Sequence, residues 1–271
     1  MKYTTYLLFT IICLSSCKLA YQRQAIGSVH EPSLNEISGI VPSVKHKDHF
    51  WVINDSGDAP NLYLINANGA LVATITVNNA QNYDWEALAL DPANGVIYIG
   101  DIGDNQAKRD TIQIYKVVEP DFGQTSIEAT KMNLVYEEGA RDAETLMFDP
   151  KSQQLVLVTK RELRTHLYQF PFIEGHQSIR SLGRINHTYF TGGDISPEGD
   201  VLIKNYWRTF LWSAKPKISI AKMITKKRPQ KVRYKKEIQG EAICWSLGGD
   251  SFFTLSEMGE AQKVPFFKYQ K

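Results

Sequence analysis

The chain has 271 residues, 43% of them hydrophobic and 22% charged, with a formal net charge of +2. That length suits one large all-β domain or two small ones, with enough apolar side chains for a full core. A balance this close to neutral argues against a polyanion binder on overall charge.

Residues 1–16 stand apart from the fold. Lys2 gives a short positive start, Tyr6 to Leu14 an apolar run, and Ser15-Ser16 lead to Cys17, which is the pattern of a secretory signal. The run is too short for a spanning helix. Leu14-Ser15-Ser16-Cys17 resembles the lipobox of bacterial lipoproteins. That resemblance implies cleavage before Cys17, a lipid on its sulfur, and an exported protein held at the bacterial cell envelope through membrane contact at Cys17. An ordinary signal peptide with an incidental Cys17 is the plainer alternative. With Cys13 removed and Cys17 lipidated, Cys244 is a lone thiol in the apolar stretch Ala242-Ile243-Cys244-Trp245, read as a small buried hydrophobe.

From Leu19 on, short apolar runs alternate with polar turns, and an acidic residue opens one run in every four. These openers are Glu36, Glu86, Glu144, Asp194 and Glu241, spaced by 50, 58, 50 and 47 residues. A period near that length with four short strands per unit indicates a β-propeller. The units begin at Glu36-Ile37-Ser38-Gly39, Glu86 to Leu90, Glu144 to Phe148, Asp194-Ile195-Ser196 and Glu241 to Trp245. Asp91-Pro92 and Asp149-Pro150 mark matching turns in units two and three. The fifth unit lacks a fourth strand, and the segment Leu19 to Val29 precedes the first. Placing that N-terminal strand in the last blade closes a five-bladed ring and removes open edges. A six-bladed ring is the alternative if 216–238 hides a divergent blade. No stretch shows a sustained helical period and no linker divides the chain, so 17–271 reads as one domain, expected to act as a monomer.

In a propeller the start of strand one and the end of strand two share one mouth. That brings the openers beside Asn54-Asp55-Ser56-Gly57-Asp58, Asp101-Ile102-Gly103-Asp104-Asn105, Lys160-Arg161-Glu162, Lys204 to Arg208 and Ser256-Glu257-Met258. Carboxylates crowded into a partly dry channel repel, at a cost of several kcal/mol if all stay ionised. A bound cation, protonation, or pairing with Lys160, Arg161 and Lys204 would relieve it. Four Glu and one Asp without His or Cys favour Ca²⁺ over Zn²⁺. Residues 201–236 hold twelve Lys and Arg and no Asp or Glu. They form either a solvated outer face of blade four or an anion surface. No groove code or aromatic spacing points to nucleic acid. The six His are scattered, and no catalytic triad, P-loop or dinucleotide motif occurs.

Several motifs carry a family resemblance. Glu36-Ile37-Ser38-Gly39, Asp84-x-Glu86, Asp194-Ile195-Ser196, and Gly240-Glu241-Ala242 followed by Leu255-Ser256-Glu257 resemble the SdiA-regulated β-propellers over nearly all of 30–271. Asn54-Asp55-Ser56-Gly57 with Gly100 to Asn105 is similar to a group of bacterial propeller lipoproteins. More distantly the layout is similar to the calcium-activated apyrases. This implies five blades and a central Ca²⁺ near Glu36, Glu86, Glu144 and Glu241, with Asp194-Ile195-Ser196 at a Ser-containing turn. It also implies Asp55 as a loop acid and Lys160-Arg161 as a basic pair.

Three functions compete on this reading. One is a Ca²⁺-binding propeller that takes a small or anionic ligand. Another is a Ca²⁺-dependent phosphohydrolase, apyrase- or phytase-like, in which Asp55 or Asp101 orients water and Lys160, Arg161 or Lys204 stabilises developing charge. A non-catalytic scaffold for a protein partner is the third, blander option.

Overall fold

The computed structural model describes residues 21–259 and 261–271; the segment 1–16, expected to be a signal, and Cys17 lie outside them. Strand β1 (Gln22–Val29) comes first. Blade one follows as β2 (Ile37–Pro42), β3 (His49–Asn54), β4 (Asn61–Asn66) and β5 (Leu71–Asn78). Next come β6 (Trp85–Asp91), β7 (Val96–Asp101), β8 (Ile112–Val118), β9 (Ser126–Glu128) and β10 (Thr130–Tyr136). Then come β11 (Ala143–Asp149), β12 (Gln154–Thr159), β13 (Thr165–Phe170), β14 (Gly175–Ile179) and β15 (Gly183–Ile185). Blade four holds β16 (Phe190–Ile195), β17 (Val201–Asn205), β18 (Thr209–Trp212), helix α1 (Ile220–Lys226) and β19 (Gln230–Val232). Blade five ends the chain with β20 (Gly240–Trp245), β21 (Ser251–Ser256) and β22 (Val264–Gln270).

These strands form five sheets in a five-bladed propeller, with β2, β6, β11, β16 and β20 innermost. Strand β1 pairs antiparallel with β22 as the outermost strand of blade five, so the N-terminal strand closes the ring as expected. Two outer strands are exchanged between neighbours. β9 leaves blade two to pair parallel with β5 of blade one, and β14 leaves blade three to pair parallel with β10 of blade two. The expectation of no helix is corrected by α1. Ile220, Met223 and Ile224, spaced for one helix face, bury it against blades three and four.

The innermost strands β2, β6, β11 and β20 are buried along their whole length, because each is flanked by a blade on either side. Alternate side chains face opposite neighbours. The result is five apolar layers, one at each blade junction. Cys244 sits fully buried in the layer between blades five and one.

The innermost strand of every blade carries one extra residue against its partner near the same mouth. The five bulged residues are Ser38, Glu86, Glu144, Thr191 and Glu241. A bulge re-aims its side chain relative to the regular pleat. Glu86, Glu144 and Glu241 are thus equivalent by register. Glu36 and Asp194 are not: Glu36 lies two residues before its bulge and Asp194 three after.

After its bulge, blade four approaches blade five so closely that a Cβ on Gly192 would lie 2.4 Å from the Glu241 carbonyl oxygen. Gly192→Ala must therefore push two blades apart in the buried ring. A loss of about 1–3 kcal/mol is expected, read by thermal unfolding; an unchanged midpoint would contradict this account of the junction.

Candidate functional site at the channel mouth

Glu86, Glu144 and Glu241 converge from blades two, three and five, with one carboxylate oxygen of each within 4.8 Å of the others. Glu86 also belongs to a second triad with Asp55 and Asp84, again within 4.8 Å. Asp55 comes from the loop after β3, and its backbone N–H is held by the Glu36 carbonyl at 2.9 Å. Asp84 lies two residues before its bulged glutamate, as Asp142 does before Glu144. The close fit explains Gly103: a Cβ there would lie 2.3 Å from Asp84 Oδ2 and 2.7 Å from Glu86 Oε1.

Cations around the cluster are few and committed. Lys160 Nζ is paired with Glu144 and lies over the Tyr206 ring at 5.4 Å. The Tyr206 hydroxyl donates to Glu241 Oε1 at 2.9 Å. The second carboxylate oxygen of buried Glu144 has no hydrogen-bond partner. Burial, then the charges of Asp55, Glu241 and Asp84, push the Glu86 carboxyl well above the usual range, against the pull of Lys160. Burial and the neighbouring Asp55 raise Asp84 to about 7. Burial and Glu241 raise Glu257, in the loop after β21, to about 8. Burial also raises Glu241, with Lys160 and the Tyr206 hydroxyl opposing.

The remaining sequence candidates are placed as follows. Glu36 is exposed at the rim. Asp194 lies at the opposite mouth, near Pro42, Leu90, Pro150 and Trp245. There it accepts from the backbone N–H groups of Trp245 and Ile195 at 2.8 Å each. Asp101 ends β7 fully buried, accepting from Arg109 at 2.8 Å and from the Asp84 backbone N–H at 3.1 Å. Arg161 donates to Asp142 at 2.5 Å and to Asn105, and Asp104 accepts from the Arg109 backbone at 2.8 Å. The Asp101-to-Asn105 loop is therefore tied to two arginines. Lys204 is wholly buried between blades four and five. It donates to the Gly240 carbonyl and lies 5.3 Å from the Tyr234 ring, and burial lowers it to about 8.

Sequence reasoning did not single out Asp142, Glu257 or Tyr206 as site residues. The signal for Asp142 was present: Asp84-Trp85-Glu86 and Asp142-Ala143-Glu144 share one Asp-x-Glu spacing. Glu257 and Tyr206 stand in loops whose lengths differ between blades, so spacing alone did not align them.

No family model and no curated protein sequence matches the chain. Among solved structures it is similar to a gluconolactonase from Xanthomonas campestris, with a TM-score of 0.45 and 10% identity, over 82% of this chain and 68% of that one. It is also similar to a luciferin-regenerating enzyme, with a TM-score of 0.44 and 12% identity, over 87% and 78% of the two chains. At these values neither likeness bears on chemistry.

Carboxyls raised in the folded state favour their protonated form there, so they support folding at low pH and withdraw that support as pH rises. For Asp84 the window runs from its ordinary 3.8 to about 7, and for Glu257 from 4.5 to about 8. Metal-free protein is expected to lose thermal stability as pH rises from about 5 to about 8.5, with a shallower fall in Asp84→Asn. A midpoint that climbs across that window would count against a crowded acidic mouth.

Proposed function

We propose that the channel mouth is a hard-cation site, Ca²⁺ first, through which the propeller binds a small anionic ligand. The chain would work at the cell envelope, exported and anchored through Cys17. The observation that carries the reading is Glu86, shared between two carboxylate triads. Buried Glu144 beside it keeps one oxygen without a partner.

The donor set fits such an ion. Asp55, Asp84, Glu86, Glu144 and Glu241 offer oxygen alone, the preference of Ca²⁺, which takes six to eight oxygens in flexible geometry. No His or Cys belongs to either triad. Glu86 is common to both triads, so it is a ligand wherever the ion settles. Lys160 already neutralises Glu144, which favours the Asp55–Asp84–Glu86 side. A bound divalent ion would neutralise the crowded charge and attract an anionic oxygen from a ligand. Arg109 and Arg161 brace the loop that carries Gly103, and Tyr206 orients Glu241.

Binding is favoured over phosphoryl hydrolysis by the state of the basic residues. Lys160 is held by Glu144, Arg161 by Asp142, and Lys204 is buried against Gly240. Asp101 is likewise engaged by Arg109. None of the three basic groups is left free to meet developing charge, while the second Asp101 oxygen has no hydrogen-bond partner.

Calorimetric titration of chelator-treated protein with Ca²⁺ tests this. Saturable binding is expected, with a higher unfolding midpoint, and Glu86→Gln is expected to weaken it at least tenfold. No heat and no thermal shift with Ca²⁺, Mg²⁺ or Mn²⁺ would sink the proposal. Phosphate released from nucleotides or phytate by the Ca²⁺-loaded protein would move the reading to the hydrolase.

A further inference from the structure

Between Lys215 and Lys236 the chain carries ten Lys and Arg, every one exposed, and no Asp or Glu. Without those ten charges the formal net charge of +2 becomes −8, so the chain's positive charge is concentrated in one segment. The fold lays that segment along the outer edge of blade four. Helix α1 buries Ile220, Met223 and Ile224, which leaves Lys222 and Lys226 outward. Edge strand β19 pairs with β18 on one side only. Among the described residues none of the ten side chains enters an ion pair.

An edge strand is protected from unwanted pairing by one or two charges. That accounts for Lys231 and Arg233 but not for Lys222, Lys226, Lys227 and Arg228, which lie off the strand.

The second observation is where the N-terminus meets the fold. Tyr21 is buried in the layer between blades four and five, in one cluster with Leu211 of β18 and Val232 of β19. The four-residue step from Tyr21 to Cys17 spans at most about 14 Å. A lipid on Cys17 would therefore lie within that reach of the β18–β19 part of this edge.

We infer that the outer edge of blade four, from Lys215 to Lys236, rests on the anionic phospholipid headgroups of the membrane that holds Cys17. The inference rests in part on reading Cys17 as the lipid attachment point. Clustered Lys and Arg next to a membrane anchor are drawn to anionic headgroups over about a Debye length, near 8–10 Å at physiological salt. The acidic mouth, built from the other blades, is a separate surface and is not needed for this contact.

The test uses the chain from Lys18 on, which contains every strand of the closed ring, with its folding checked by circular dichroism. It is mixed with vesicles of phosphatidylcholine, with and without phosphatidylglycerol, and bound protein is measured by flotation. Binding at least tenfold stronger to the anionic vesicles is expected, and should be lost at high salt. The variant Lys222→Gln, Lys226→Gln, Lys227→Gln, Arg228→Gln should lose at least tenfold. The control Lys47→Gln, Lys108→Gln, Lys131→Gln, Lys263→Gln, equal in charge removed, should retain binding. Equal affinity for both vesicle types overturns the inference, as does equal loss in both variants. Displacement by inorganic phosphate at constant ionic strength overturns it in favour of a free-anion site. Detergent-phase partition of the full chain against Cys17→Ala reads the anchor separately. Failure there with vesicle binding intact removes the lipid on Cys17 and leaves the headgroup surface standing.

Discussion

Ring closure is the constraint on which the rest depends. Carboxylates such as Glu86, Glu144 and Glu241 would separate if their backbones were free to move. They are not free, because each stands on an innermost strand clamped between two blades, and the last gap is closed by β1 on β22. Burial in a medium of low dielectric makes the repulsion worth several kcal/mol. The apolar layers at the five junctions supply the opposing force: each exchanges large exposed side chains for close packing at roughly 25 cal/mol per Å² of apolar surface. The acidic cluster is thus a strain that the propeller can hold because its stability is spread around a closed ring.

The bulges convert that scaffold into a site. Three of them carry Glu and two carry hydroxyls, and the hydroxyls have their own task. Ser38 donates to the Trp85 carbonyl at 2.7 Å, and Thr191 to the Gly240 carbonyl at 3.3 Å. Trp85 and Gly240 are the residues just before Glu86 and Glu241. Each hydroxyl blade therefore pins the backbone of the acidic blade beside it. Lys204 adds a second hold on the Gly240 carbonyl. Its charge is buried within reach of Glu237 and Glu241, which sustain it against desolvation. Lys204 acts on the mouth through backbone position.

Much of the fold was legible because propeller strands are short, apolar and punctuated. The closing strand followed from a missing fourth strand in unit five. What misled was the use of acidic residues to mark register. Register is set by the bulge, and Ile37-Ser38-Gly39-Ile40 aligns with Trp85-Glu86-Ala87-Leu88 through its apolar and small positions. On that alignment Glu36 corresponds to Asp84, outside the bulge, and Asp194 falls near the far end of its strand. The exchanged strands β9 and β14 left no trace to read, since Ser126–Glu128 is three residues of mostly exposed chain whose pairing is decided by a neighbouring blade. Helix α1 did leave one, in the spacing of Ile220, Met223 and Ile224, but seven residues are too few for a periodic signal to stand out.

The net charge conceals a separation that bears on what the mouth accepts. Its carboxylates outnumber the ammonium groups of Lys160 and Lys204 within reach of them, and Arg109 and Arg161 are spent on Asp101, Asp142 and Asn105. An anionic ligand would be repelled from such a mouth in the absence of a cation, while a neutral or cationic one would not. The charge the mouth would admit and its occupancy by a cation are therefore one question. The positive charge that balances the chain is on the outer edge of blade four, on the far side of a packed blade. Over that distance, beyond a Debye length of salt water, it does little to soften the repulsion at the mouth. The two poles are therefore electrostatically separate, one acidic at the mouth and the other basic at the outer edge.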